Sequence, residues 1–155
     1  MMLVGRIVKE ERTWWSAEVA TIGAFTQGRS RKDAAVMLAD LIETMVERPG
    51  FKVKVSFLGD QGLVLVEANE PGRLAAQVLK YQREVHRLSL ADVSKLLGAT
   101  SRNAYARYEQ GRAVPSLDKL YELLRVIAPD MALVLTERKP TRRAKSSTTR
   151  RRRAA

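Results

Sequence analysis

The sequence has no cysteine and a single histidine, His86. Disulfides, thiolate nucleophiles and soft-metal sites are excluded, as is any histidine-based metal cluster. Aromatic residues make up only 6% of the chain, so two adjacent tryptophans, Trp14 and Trp15, stand out. No apolar run reaches the length of a membrane span, and the N-terminus lacks a signal-peptide core; a soluble cytoplasmic protein with no membrane partner is expected. Acid is missing from one region. Residues 138–155 hold nine Lys or Arg and no Asp or Glu, which leaves 19 bases against 17 acids in the rest of the chain. Most of the formal net charge of +11 is thus a tail. That tail is expected to be disordered and to add nonspecific affinity for nucleic-acid phosphates.

The 155 residues suit one ordinary domain or two small ones. Residues 3–8 and 14–19 read as a strand hairpin, with a third short strand around Ala24–Thr26. Ser30 and Asp33 set a helix start, and Ala34, Ala35, Leu38, Leu41, Ile42 and Met45 repeat at helical spacing until Arg48-Pro49-Gly50. Val53, Val55 and Phe57 alternate as a half-buried strand. Leu63–Val66 is continuously apolar, so it is either a strand covered on both faces or an interface. The order is βββαββ. Asn69-Glu70-Pro71-Gly72 marks a junction. Beyond it lies a helix over 74–87, with Leu74, Ala75, Val78, Leu79, Gln82 and Val85 turned inward. A later helix over 117–127 has the stripe Leu117, Leu120, Leu123, Leu124 and Ile127, with Ser116 as its cap and Pro129 as its stop. Met131–Thr136 reads as a short strand in need of a partner, either a sheet edge or a second copy of the chain.

The densest signal runs from Ser89 to Ser116. Leu90, Val93, Leu96 and Leu97 form one apolar face, and Gly98 follows where a helix needs a left-handed stop. Ser101 is placed to cap a second helix with the apolar face Ala104, Tyr105 and Tyr108, closed by Gly111. Its other face carries Arg102, Asn103 and Arg107. Two helices joined by a short turn, the second bearing Arg and Asn near its start, is the geometry that enters a DNA major groove. Arg can pair with guanine O6 and N7, and Asn with adenine N6 and N7. Glu109, an acid beside such a face, is expected to bond backbone or an arginine within the domain.

Leu97 to Ser116, above all Tyr108-Glu109-Gln110-Gly111-Arg112 followed by Pro115-Ser116, resembles the Cro/repressor (XRE) helix-turn-helix family. The resemblance puts base contacts on Arg102, Asn103 and Arg107 and phosphate contacts on Ser101, Gln110 and Arg112. The sequence departs from the family pattern twice. The stretch from Gly98 to Glu109 is one residue longer than usual, so the turn is expected to bulge, and Leu90 stands where the family often has a phosphate-binding Gln. The N-terminal part, through Phe25-Thr26-Gln27-Gly28 between hairpin and helix and then Asp33-Ala34-Ala35, resembles the HicB antitoxin domain, a partial ribonuclease-H-like fold. Of the acidic-Leu-Pro-Gly-Cys run that often precedes Phe-Thr-Gln-Gly, only Gly23 is kept.

The expected fold is α+β: a βββαββ partial ribonuclease-H-like domain over 1–69, an all-α helix-turn-helix domain with a short terminal strand over 70–137, and a basic tail over 138–155. The function implied by the two resemblances is that of an antitoxin of a type II HicA–HicB-like pair. It would bind a small HicA-like messenger-RNA-cleaving ribonuclease toxin and, as a dimer or tetramer, operator double-stranded DNA. The alternative is a stand-alone XRE-type repressor whose N-terminal domain dimerises or senses a ligand. No enzyme activity, cofactor or metal is expected. Asp40, Glu43 and Glu47 lie on the polar face of a helix rather than converging on an ion, and His86 has no evident acid–base partner.

Overall fold

The computed structural model describes residues 1–10, 13–98 and 102–134, with Arg102 described by its backbone alone. The N-terminal elements are β1 (Leu3–Lys9), β2 (Trp15–Val19), β3 (Ala24–Gly28), α1 (Arg31–Val46), β4 (Val53–Leu58) and β5 (Leu63–Ala68). They follow the βββαββ order. The five strands form one antiparallel sheet in the order β3-β2-β1-β5-β4.

Alternation decides what each face does. Ile7 pairs with Ala17, Leu3 with Val66 and Val19 with Ala24, so these side chains share one face, all 8% exposed or less. Helix α1 lies on that face and turns Ala34, Ala35, Leu38 and Ile42 into it. Its start is capped as expected: Asp33 N donates to Ser30 Oγ at 3.1 Å, while Arg29 N donates to Asp33 Oδ2 at 2.7 Å. Gly28 allows the close approach of strand and helix, since a Cβ there would fall 2.3 Å from Ala34 N.

Strand β5 lies between β1 and β4, and Val64, Leu65 and Val66 are all buried. Of the two readings of this apolar run, it is therefore the covered strand and not an interface. The opposite face of the sheet stays partly open, with Val4, Phe25 and Leu58 exposed by 54, 59 and 43%. Trp15 packs half-buried against the core, whereas its neighbour Trp14 is 46% exposed.

The chain then forms α2 (Pro71–Val85), α3 (Leu90–Leu96), α4 (Arg102–Glu109) and α5 (Leu117–Ile127). Helix α2 starts three residues earlier than the apolar repeat suggested, because Pro71 takes the first helical position, where its missing N–H costs nothing. It packs on the Ala20–Ile22 3-10 turn of the sheet domain. Gln82, buried as expected, donates from Nε2 to Thr21 O at 3.0 Å. The Tyr81 ring lies over Gly23, which has a φ of +65°. Val85, expected inward, is 52% exposed at the end of α2. Ser116 caps α5, whose buried stripe is Leu120, Leu123, Leu124 and Ile127; Leu117, in the first turn, is 67% exposed and corrects the expected stripe. Residues 131–134 form no strand and run beside Met1–Val4, where both segments line an apolar cleft. The rest of the expected strand, 135–136, and the tail 138–155 lie outside the described residues. Among those described, no helix is long and apolar enough to cross a membrane.

Candidate nucleic-acid interface

Helix α3 opens with a reciprocal cap. Asp92 N donates to Ser89 Oγ at 3.1 Å, and Ser89 N and Oγ donate to Asp92 Oδ2 at 2.8 and 2.6 Å. These bonds, the hydroxyl's above all, hold the Asp92 carboxyl below the usual carboxylate range. Val93 and Ser94 are buried, and Leu90 and Leu97 pack half-buried against the core. The inward stripe is thus 90, 93, 94 and 97. Leu96 is 57% exposed, a correction to the expected face, and Ser94 sits where an apolar residue would be looked for. Gly98 ends the helix as expected, with a φ of +62°. The turn 99–101 lies outside the described residues, and with it the expected bulge and the roles given to Ser101.

The second helix turns Tyr105 and Ala106 inward, at 1 and 9% exposure. Tyr105 Oη donates to Leu79 O of α2 at 3.3 Å, and burial, reinforced by the Glu109 carboxylate, pushes its phenol far above the ordinary range. Tyr108 packs half-buried against the same core. Asn103, Ala104 and Arg107 are exposed, as are Gln110 and Arg112 just beyond the helix. Asn103, Arg107 and Gln110 fall at i, i+4 and i+7, one stripe directed away from the core. The structure therefore brings together three of the six residues expected to touch DNA and sets Arg112 close by. Arg102 opens the helix, and its side chain lies outside the description. Ala104 was expected inward; the correction is that Ala106 holds that place, because the buried arc follows Tyr105, Ala106 and Glu109.

Two arginines absent from the sequence reading hold α4 in position. Arg83 of α2 donates from Nε to Glu109 Oε1 at 2.6 Å, from Nη2 to Oε2 at 3.0 Å, and from Nη1 to Leu88 O at 2.9 Å. The pair is nearly dry, with side chains 14 and 8% exposed, and the Glu109 bond raises the guanidinium pKa. This agrees with the internal role expected of Glu109. It also means that this acid places no free negative charge on the exposed stripe. Arg73 donates from Nη1 to Gln110 O at 2.9 Å, capping a carbonyl left over at the end of α4. Gly111, with a φ of +61°, leaves room for that arginine.

Two of the remaining titratable candidates, Glu43 and His86, have side-chain partners. Glu43 accepts from Lys52 Nζ at 2.7 Å and from Val53 N at 2.8 Å, which lowers its pKa, the lysine bond contributing most. His86 does have an acid beside it: Nε2 is 3.3 Å from Asp130 Oδ1, and Nδ1 meets Gln82 O at 2.8 Å. Asp130 lies far along the chain, so no local spacing could have revealed it. Among the described residues, no group of three or more His, Asp or Glu is arranged to hold a metal ion.

A capped helix, a glycine stop and a second helix with a polar outward stripe define a helix-turn-helix, the class of module that lays its second helix in a DNA groove. Residues 79–128, about a third of the chain, match a protein-family model described as helix-turn-helix. The C-terminal part is accordingly a DNA-binding domain of the XRE helix-turn-helix type. No curated protein matches the chain.

Proposed function

We propose that this protein is the antitoxin and autorepressor of a type II toxin–antitoxin pair of the HicA–HicB kind, acting in the cytoplasm without catalytic activity of its own. The DNA half of the reading is carried by the exposed stripe of Asn103 and Arg107 on α4, continued by Gln110 just beyond it. In that role α4 enters the major groove, and a dimer sets two copies about one helical turn of DNA apart, ~34–36 Å, on a palindromic operator.

The toxin half rests on the sheet domain. Its element order and its Phe25-Thr26-Gln27-Gly28 edge strand suit a HicB-type domain. Its partly open face offers Val4, Phe25 and Leu58 to a partner. In this reading a small messenger-RNA-cleaving toxin docks on the sheet domain and loses access to its substrate.

Native purification from the source cell at high salt, followed by mass determination of the complex, tests the reading. A stoichiometric small basic partner with ribonuclease activity when released is the expected result. A homo-oligomer without a partner, still binding its operator, would make the protein a stand-alone repressor instead.

A further inference from the structure

We propose that Ala104 reads the 5-methyl group of a thymine in the operator. The inference rests on α4 being the recognition helix. It starts from a residue of that helix that departs from its expected place: Ala104 is exposed, although Tyr105 and Ala106 after it are buried.

On the helix surface Ala104 adjoins Arg107, three residues on, so its methyl group stands beside that hydrogen-bonding side chain, on the exposed side that also carries Asn103. In the major groove each base pair shows donors and acceptors, but only thymine also shows a methyl group. Asn103 and Arg107 suit the polar edges; an exposed alanine suits the apolar one. Its shortness matters as well. A Cβ with nothing beyond it lets the backbone of α4 come close to the base edges, whereas a longer side chain would hold the helix away.

The test uses the full chain and a pool of randomised DNA duplexes. The duplex bound most tightly is resynthesised with each thymine in turn replaced by deoxyuridine, which lacks only the methyl group. One replacement should weaken binding by about 4-fold, the worth of one buried methyl group. The same replacement should have no effect on Ala104→Gly or Ala104→Ser. The serine variant keeps the helix if glycine loosens it, and circular dichroism reports which variants remain folded. Replacements that affect wild type and both variants equally would overturn the role of Ala104 while leaving the recognition helix intact. A pool that yields no preferred duplex would overturn both.

Discussion

Arg83 and Glu109 meet through two parallel hydrogen bonds, of 2.6 and 3.0 Å, that fasten the last turn of α4 to α2. Each charge is nearly withdrawn from water, so removing one partner leaves the other buried alone. Glu109→Ala is expected to destabilise the C-terminal domain by about 3 kcal/mol, and Glu109→Gln by less. Urea unfolding of the full chain measures this; a loss within about 0.5 kcal/mol would mean the pair is effectively a surface one.

Arg107→Ala and Asn103→Ala should each cost ~1–3 kcal/mol of discrimination between operator and unrelated DNA, measured by competition binding. Arg112→Ala should instead weaken binding to all sequences alike and lower the slope of log affinity against log salt by about 1. A sequence-dependent effect of Arg112→Ala would move that residue from the phosphates to the bases.

Gly23→Ala should loosen the seat of α2 on the sheet domain. The position combines a φ of +65° with the Tyr81 ring, and an added Cβ would lie 2.2 Å from it. A loss of about 1–3 kcal/mol is expected from the backbone conformation and the clash together. Adding Tyr81→Ala should return the steric part only. Full recovery in the double variant would show that backbone conformation contributes nothing.

Stability should fall on acidification through identifiable groups. Asp92 is held below its ordinary range by Ser89, and Glu43 by Lys52 and then Val53 N. A carboxyl whose folded-state pKa is depressed contributes stability above its unfolded value and loses it as pH falls through the folded value. Asp92→Asn should therefore be less stable than wild type at neutral pH and show a flatter stability profile in the acid range. Parallel profiles for the two proteins would remove the cap from the pH dependence.

Phe25→Asp places a charge on the open sheet face, at a side chain already 59% exposed, and should leave folding and operator binding unchanged. Capture of the proposed toxin should drop at least 10-fold. Unchanged capture would move the docking surface elsewhere on the domain.

Signals confined to a few consecutive residues were legible in the sequence: the Ser30 and Ser116 caps, the Gly98 and Gly111 stops, and the strand alternation of Val53 and Val55. Facing was harder. Helices of seven and eight residues, such as α3 and α4, make barely two turns, so several phases fit one apolar pattern. That is why Leu96 and Ala104 turn out exposed while Ser94 and Ala106 turn in. Strand order was beyond local reading, because the pairing of Leu3 with Val66 depends on contacts across most of the sheet domain. The same distance hid Arg83 and Arg73, whose partners Glu109 and Gln110 lie at and just past the end of α4.

Arg48, near the end of α1, bonds Glu70 at 3.1 Å; Glu70 lies 3.5 Å from Arg73 Nε; and Arg73 reaches Gln110 O. A short relay of charges thus runs from the sheet domain to the tail end of the reading helix, through the residues where the two parts join. A chimaera spliced at residue 70 without Arg48 would lose the one surface ion pair of Arg48 with Glu70, whereas the Arg73–Gln110 bond lies wholly beyond the splice and would travel with the transplanted reading head.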